Sequence, residues 1–538
     1  MHQPLINIFE LPKAKEKYTY LKSFFTGILF LLLISSASFA QEQESIVNEI
    51  IKEATENSQL EKLAFELLDE IGPRLVGTPQ MHQSHDWAVE KYKEWDIEAR
   101  NELWGEWRGW ERGITHVDLV HPRIITLEAR QLAWSPSTSG KAVSGEVITI
   151  PDLEDSIAFV EWLPNVKGKF VLVSILQPTG RPDYNWEEYA TSESFEKMKN
   201  ERSSKTQDWS SKMKKTGFTV TTLPNALENA GAAGVISSYW SNGFGVNKVF
   251  MARTSKIPSI DMALEDYGML YRLAENGSTP KLNVRVESKF TGIVPTFNTI
   301  AEIKGSELPE EYIILSAHLD SWDGGTGATD NGTGTILMME ALRILKQVYP
   351  NPKRTILVGH WGSEEQGLNG SRAFVEDHPD IVDNIQAVFN QDNGTGRIKN
   401  ISGQGFLHAY DYLGRWLSAV PEDIAGEIET DFPGKPGGGG SDYASFVAAG
   451  APAFNLSSLS WDYRTYTWHT NRDTYDKIVF DDVRKNVILT AILAYMASED
   501  PAKASRERIN LPVDSRTGKP TIWPTPRKST RQGGQEGS

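Results

Sequence analysis

The chain has 538 residues, 39% hydrophobic and 23% charged, enough for more than one domain and a large buried core. A formal net charge of -16 argues against nucleic acid as a partner, because phosphate binding relies on clustered Lys and Arg. The absence of cysteine excludes disulfides, thiolate ligands, cysteine nucleophiles and an acylated-cysteine anchor together.

The first 40 residues read as a signal peptide. Lys13, Lys15, Lys17 and Lys22 precede the apolar run FFTGILFLLLISSASFA, which ends in the small-x-small pattern Ser38-Phe39-Ala40. The run is short for a membrane span and no stop-transfer flank follows it. The expectation is a protein without a stable membrane anchor, secreted or periplasmic after cleavage near Ala40.

Residues 41–135 read as a helical N-terminal part of the main domain. SIVNEIIKEA and SQLEKLAFELLDEIGP carry apolar residues at helical spacing. Ser58 and Glu61 predict a capping box, and Gly72-Pro73 a stop. Another amphipathic helix is expected around Met81 to Trp95. The Trp- and Arg-rich WGEWRGWERG, Trp104 to Gly113, reads as packing with cation–π contacts rather than as a ligand site.

Residues 136–290 read as an inserted module. GEVITI and GKFVLVSIL are expected strands, and NALENAGAAGVISSYW a helix running into a strand. Asn185 to Lys215 is a charged, helix-prone insertion. The block holds no His, Asp and Glu cluster with ligand spacing, so it is expected to carry no chemistry of its own.

From residue 291 to 500 the pattern alternates. YIILSAHLD, RTILVGHWG, QAVFNQD and APAFNLS are expected strands, with helices over TGTILMMEALRILKQV and GLNGSRAFVEDH. This predicts an α/β domain: a mainly parallel sheet covered by helices on both faces. Sites in such sheets gather beyond the carboxyl ends of the strands. Residues 501–538 are polar and rich in Pro, Gly and Arg, and read as an extended or disordered tail.

Three strand ends are polar. His318 closes one and Asp330 follows in a Gly-rich loop. Glu364 and Glu365 close the next, Asp392 the third, and His469 lies after the last strand. Nitrogen and oxygen ligands without sulfur suit zinc, with manganese or cobalt as substitutes. Five candidates suggest two metals sharing a bridging carboxylate and activating one water as hydroxide for attack on a peptide carbonyl. One carboxylate must stay off the metals to accept the water proton, and Glu364 and Glu365 can divide this labour. Asp320, two residues from His318, faces the same way and reads as a carboxylate that orients the imidazole. Asp323 is expected to serve only the turn. His360, His378 and His408 lack carboxylates placed like those of His318 and read as structural.

The motifs AHLDSWDGGTGATDNGTG, GSEEQGLNGSRAF, NQDNGTG, GSDYASF and WHTNRDTYDKI resemble, in order, those of the co-catalytic di-zinc exopeptidases, the aminopeptidase and glutamate carboxypeptidase II superfamily. The likeness is greatest to the carboxypeptidase Q branch, through PKRTI, EEQG and WRGWE (Trp107 to Glu111), and it covers about Glu44 to Ser498. The block with NAGAAGVISS and IPSI resembles the β-rich α+β protease-associated (PA) domain that these enzymes carry as an insert. The resemblance implies a secreted exopeptidase, either a dipeptidase or an aminopeptidase, with two Zn2+. It implies His318 and Asp392 on one zinc, Glu365 and His469 on the other, and Asp330 on both. Glu364 would be the general base and Asp320 the partner of His318. A cis peptide after Asp330 is implied too, although Asn331 stands where many relatives have a second Asp. Ser441, Asp442 and Tyr443 correspond to a loop near the substrate pocket. The termini of a peptide could be read by Arg464, Arg472, Asp442 or the inserted module, and pairing as a homodimer is a further implication. Two rivals are a receptor or binding protein on the same fold and a one-zinc glutaminyl cyclase. The filled ligand positions oppose the first, and the two-metal set and large insert oppose the second.

Overall fold

The computed structural model describes residues 41–513 and 515–534. The predicted signal peptide lies outside the described residues. The strands in chain order are β1 (Glu98–His121), β2 (Ile125–Thr126), β3 (Ala129–Gln131), β4 (Val143–Thr149) and β5 (Phe170–Leu172). They continue as β6 (Gly234–Ser237), β7 (Ser259–Met262), β8 (Lys281–Ile303), β9 (Leu308–His318) and β10 (Arg354–Trp361). The last are β11 (Ile385–Asn390), β12 (Ile398–Ser402), β13 (Glu429–Asp431), β14 (Ala453–Ser458) and β15 (Gln532–Gly533).

At the centre, β14, β11, β9 and β10 run parallel, with β12 and β8 antiparallel on either side. β10 and β11 are buried along their whole length, as is β9 over its last six residues. That is why the sequence shows continuous apolar runs there and no alternation. The helices Thr333–Val348 and Phe480–Glu499 bury Leu342, Ile344, Leu489 and Ile492 in the main core. The α/β expectation is met, and β9, β10 and β11 all point their carboxyl ends at one edge.

The sequence reading missed the long antiparallel pair of β1 and β8, paired from Glu98↔Glu302 to His121↔Lys281. Bulges and bound polar residues interrupt their alternation, which hides them as strands. The far half of β8 pairs with β4 and opens a second sheet, in which β4, β5, β6 and β7 are parallel and β3 closes the edge. This sheet has its own apolar clusters, around Phe170, Ile260 and Tyr267 and around Phe159 and Leu227. A third cluster joins the two parts: Trp104, Trp107, Trp110, Trp134, Val249 and Trp322. Within it Arg108 lies 3.9 Å from the Phe290 ring centroid and Arg112 lies 5.1 Å from that of Trp110. The packing role expected for the Trp/Arg segment is thus what the structure has.

Two local expectations differ. The capping box at Ser58 and Glu61 does not form: Glu61 reaches Arg484 at 2.9 Å, and the Gln59 N–H donates to Glu340 Oε1 at 3.0 Å. Tertiary partners outbid the local cap. The tail is extended but not loose. Trp523 Nε1 donates to the Val447 carbonyl (2.9 Å), Ser529 Oγ to the Asn369 carbonyl (2.9 Å), Arg531 pairs with Glu376 and Asp377, and β15 pairs in parallel with β1.

The end of the last helix is fixed by Asp500, whose carboxylate accepts from Trp416 Nε1 (2.9 Å), Arg415 Nη2 (2.8 Å) and the Ala502 N–H (2.9 Å). Burial opposes its charge, but these donors outweigh it and hold the carboxyl below its ordinary range. A depressed carboxyl contributes stability that is present above its unfolded pKa and lost as pH falls through the folded one. Asp500→Asn should lower stability at neutral pH by about 1–3 kcal/mol. In urea titrations the gap from wild type should narrow below roughly pH 4.

Candidate metal centre

The Gly-rich loop after β9 is folded by two buried side chains that the sequence reading left aside. Arg74 is fully buried and donates to four carbonyls: Leu319 (2.7 Å), Thr326 (2.7 Å), Gly327 (2.9 Å) and Gly72 (3.0 Å). Burial lowers its pKa to about 10, which still leaves it charged at neutral pH. Asp473, in the WHTNRDT segment, accepts the Thr329 N–H (2.8 Å) and the Asp330 N–H (3.1 Å). Gly327 has φ +63, and a Cβ there would lie 2.3 Å from Ser321 Cβ, so this turn requires glycine. The Asp330–Asn331 peptide is cis, as the resemblance implies. Asn331 in place of an acid has a use here. Its Nδ2 donates to the Gln391 carbonyl (2.9 Å) and its Oδ1 accepts the Gly334 N–H (3.2 Å), and a carboxylate could make only the second bond.

Five candidate ligands meet. His318 Nε2 lies 3.1 Å from Asp392 Oδ1 and 3.6 Å from Asp330 Oδ1. His469 Nε2 lies 2.9 Å from Glu365 Oε2 and 3.4 Å from Asp330 Oδ2. Asp330 therefore turns one oxygen to each histidine. Donor atoms of His318, Glu364 and Asp392 all fall within 4.8 Å of one another, as do those of Asp330, Glu365 and His469. His318 Nδ1 lies 2.9 Å from the Asp320 carbonyl, which can only accept. That keeps a proton on Nδ1 and turns Nε2 to the acids, so Nε2 is the nitrogen that would ligate once a cation displaces its proton.

Asp320 faces His318 Nδ1 with its carbonyl and, at 3.5 Å, with its carboxylate, which also accepts the Glu364 N–H (3.0 Å) and the Glu365 N–H (3.2 Å). It ties the two strand ends together. Asp323 does more than serve the turn, since it is buried and pairs with Arg112 at 2.7 and 2.9 Å. His360, His378 and His408 bond to Tyr92, Glu102 and Glu507, away from both donor groups.

The electrostatics fit cations. Burial, with neighbouring acids, pushes the carboxyls of Glu364 and Glu365 well above the usual range. Burial opposes protonation of His318, but Asp392 and Glu364 outweigh it and raise its pKa well above the ordinary value. Asp330 Oδ2 and Glu365 Oε1 are buried without a hydrogen-bond partner. Buried acids this close together, with oxygens left over, are a donor set for divalent metal.

A cavity of about 510 Å³ opens over these groups, a size suited to small ligands. Ser441 and Tyr443 line it, while Asp442 is fully buried behind them, where burial raises its carboxyl to about 7. Arg464 lines the cavity; Arg472 does not, because its guanidinium is spent on the Gly245 carbonyl (2.8 Å). Tyr463, Arg372 and Arg527 also line it and were not anticipated, since no spacing rule brings residues 372, 463 and 527 together. The loop between β6 and β7 reaches the site as well. The Val249 N–H donates to the His469 carbonyl (2.8 Å), and the Phe250 ring packs edge-on against the imidazole at 5.2 Å. This loop, which contributes no residue to the donor cluster, thus positions one of its histidines.

Residues 298–493 match the family model for peptidase family M28. Carboxypeptidase Q of Homo sapiens is 25% identical over 469 residues, covering 86% of this chain and 90% of the relative. That of Xenopus laevis is 26% identical over 444 residues, covering 81% and 85%. In fold the chain is similar to a peptidase M28 precursor from Shewanella amazonensis (TM-score 0.63, 22% identity, 86% of this chain and 98% of that one). It is also similar to a zinc aminopeptidase from Bacillus subtilis (TM-score 0.53, 19% identity, 83% and 97%). The matched segment holds every residue of the donor cluster, and the chain is a metallo-exopeptidase whose catalytic part is similar to peptidase family M28.

Proposed function

We propose that the protein is a zinc exopeptidase that hydrolyses dipeptides or short peptides with two ions. The observation that carries this reading is Asp330, which offers Oδ1 to the His318 group and Oδ2 to the His469 group. In this reading His318 and Asp392 hold one ion, Glu365 and His469 the other, and Asp330 both. The zinc named for a structural relative supports the choice of metal. Bound zinc would supply Lewis acidity for the scissile carbonyl and lower the pKa of an attacking water.

The remaining work belongs to side chains. Glu364 borders the cavity, and its carboxylate takes the water proton and passes it to the leaving amine nitrogen. Asp320 holds the Glu364 and Glu365 backbone at the required height. Tyr463 is kept protonated by burial and by Asp330, and its phenol is a donor toward the Asp330 carboxylate. Ser441 and Tyr443 form part of the wall that excludes water. Export follows from the Lys-flanked apolar run before Ala40. Among the described residues, no helix is long and apolar enough to cross a membrane. Residues 136–290 are read as the protease-associated insert.

Glu364→Gln should keep both zinc ions by mass spectrometry while kcat falls roughly 10²–10⁴-fold. Loss of one ion would instead make Glu364 a ligand beside His318 and Asp392. His318→Ala and His469→Ala should each lower bound zinc per chain, and full zinc in both would move the centre elsewhere. Blocking one terminus of a peptide should abolish cleavage. Rapid internal cleavage of a peptide blocked at both ends would rule out exopeptidase action.

A further inference from the structure

A second cavity, of about 240 Å³, lies at the sheet of β4 to β7 and shares no lining residue with the one over the metal centre. It opens beyond the carboxyl ends of β5 and β6, where Ser174 and Ser238 follow the last strand residues. Parallel sheets take ligands at that edge, where the strands stop and their connections diverge. The facing wall is apolar: Trp209 and Met213 from the helix Ser192–Thr216, and Leu223 at the start of the helix Leu223–Asn229. No Asp, Glu or His lines it, so its walls suit binding rather than acid–base or metal chemistry.

Two polar groups there have no partner in the chain. Ser238 is 9% exposed, and its Oγ is buried without a hydrogen bond. Its surroundings are already settled: the Ser238 N–H donates to Ser174 Oγ (2.9 Å), and Ser237 Oγ donates to the Ile260 carbonyl (3.2 Å). A buried hydroxyl left over beside a cavity costs free energy until something arrives to bond it. Arg253 lines the same cavity, is exposed, and makes no hydrogen bond or ion pair among the described residues. A guanidinium and a spare hydroxyl, with no acid beside them, select for negative charge, while the apolar wall selects for a hydrocarbon body. The segment 248–253 separates this cavity from the metal centre. Met251 and Arg253 line the cavity, whereas Lys248 and Phe250 stand 4.3 Å from the Trp468 ring centroid and 5.2 Å from that of His469.

We propose that this cavity is a binding site for a small apolar carboxylate. The aromatic or branched aliphatic body lies against Trp209, Met213 and Leu223. The carboxylate pairs with Arg253 and accepts the unused Ser238 proton. An ammonium group would find no acid on these walls, so the ligand is a simple acid rather than an amino acid or the free amino end of a peptide. The site is separate from the peptidase reading and does not depend on it.

The test is calorimetric titration of the intact protein with 3-phenylpropionate, 3-phenylpropionamide and L-phenylalanine. The acid should bind about 3–5-fold tighter than the amide, the gain from one partly screened ion pair. Arg253→Gln should bring acid and amide together, and Ser238→Ala should weaken the acid roughly 2–10-fold. Neither change disturbs packing, since one side chain is exposed and the other loses only an unpartnered hydroxyl. Met213→Trp, which fills the cavity, should weaken acid and amide alike by about tenfold or more. Absence of binding, or equal binding of acid and amide to the wild type, would overturn the proposal. So would a tighter hold on L-phenylalanine than on the acid, because an ammonium partner would then be present. Binding left unchanged by both Arg253→Gln and Met213→Trp would put the ligand elsewhere in the molecule and overturn it as well.

Discussion

Arg74 gives up its water to hold four backbone carbonyls, two of which belong to the turn at Thr326 and Gly327. An unpaired buried guanidinium would be costly, so the turn that satisfies it is strongly favoured over alternatives. Asp473 closes the same loop from the other side through the Thr329 and Asp330 N–H groups. With the loop so fixed, Asp330 is held midway between His318 and His469. Its position does not depend on the residues it serves.

The acids at the strand ends would repel one another if the backbone were free to move. A parallel sheet prevents that, because β9, β10 and β11 are ladder-bonded to one another and deliver their last residues to one edge. Asp320 strengthens the arrangement by binding the N–H groups of Glu364 and Glu365. What remains is concentrated negative charge with spare oxygens, a donor set suited to divalent cations. The loop between β6 and β7 adds support: Val249 and Phe250 secure the loop of His469, which no strand end holds directly.

Much was legible in the sequence. The apolar runs ending in His318, Glu364-Glu365 and Asp392 determined the α/β class and the edge at which a site would form, because burial on both faces of a parallel strand leaves no room for polar residues until the strand ends. The donor types at those strand ends pointed to a cluster of nitrogen and oxygen donors, and the structure brings them together. Tertiary structure decided what depends on partners distant in sequence. Glu61 turned from the expected box to Arg484, and the Gln59 N–H to Glu340. Arg74, an ordinary surface residue by type, became the clamp of the loop. The tail, polar enough to read as disordered, was ordered by Trp523, Arg531 and a short strand pairing. Residue type sets what a side chain can bind. Which carbonyl, carboxylate or cavity it meets is fixed only when segments hundreds of residues apart are packed together.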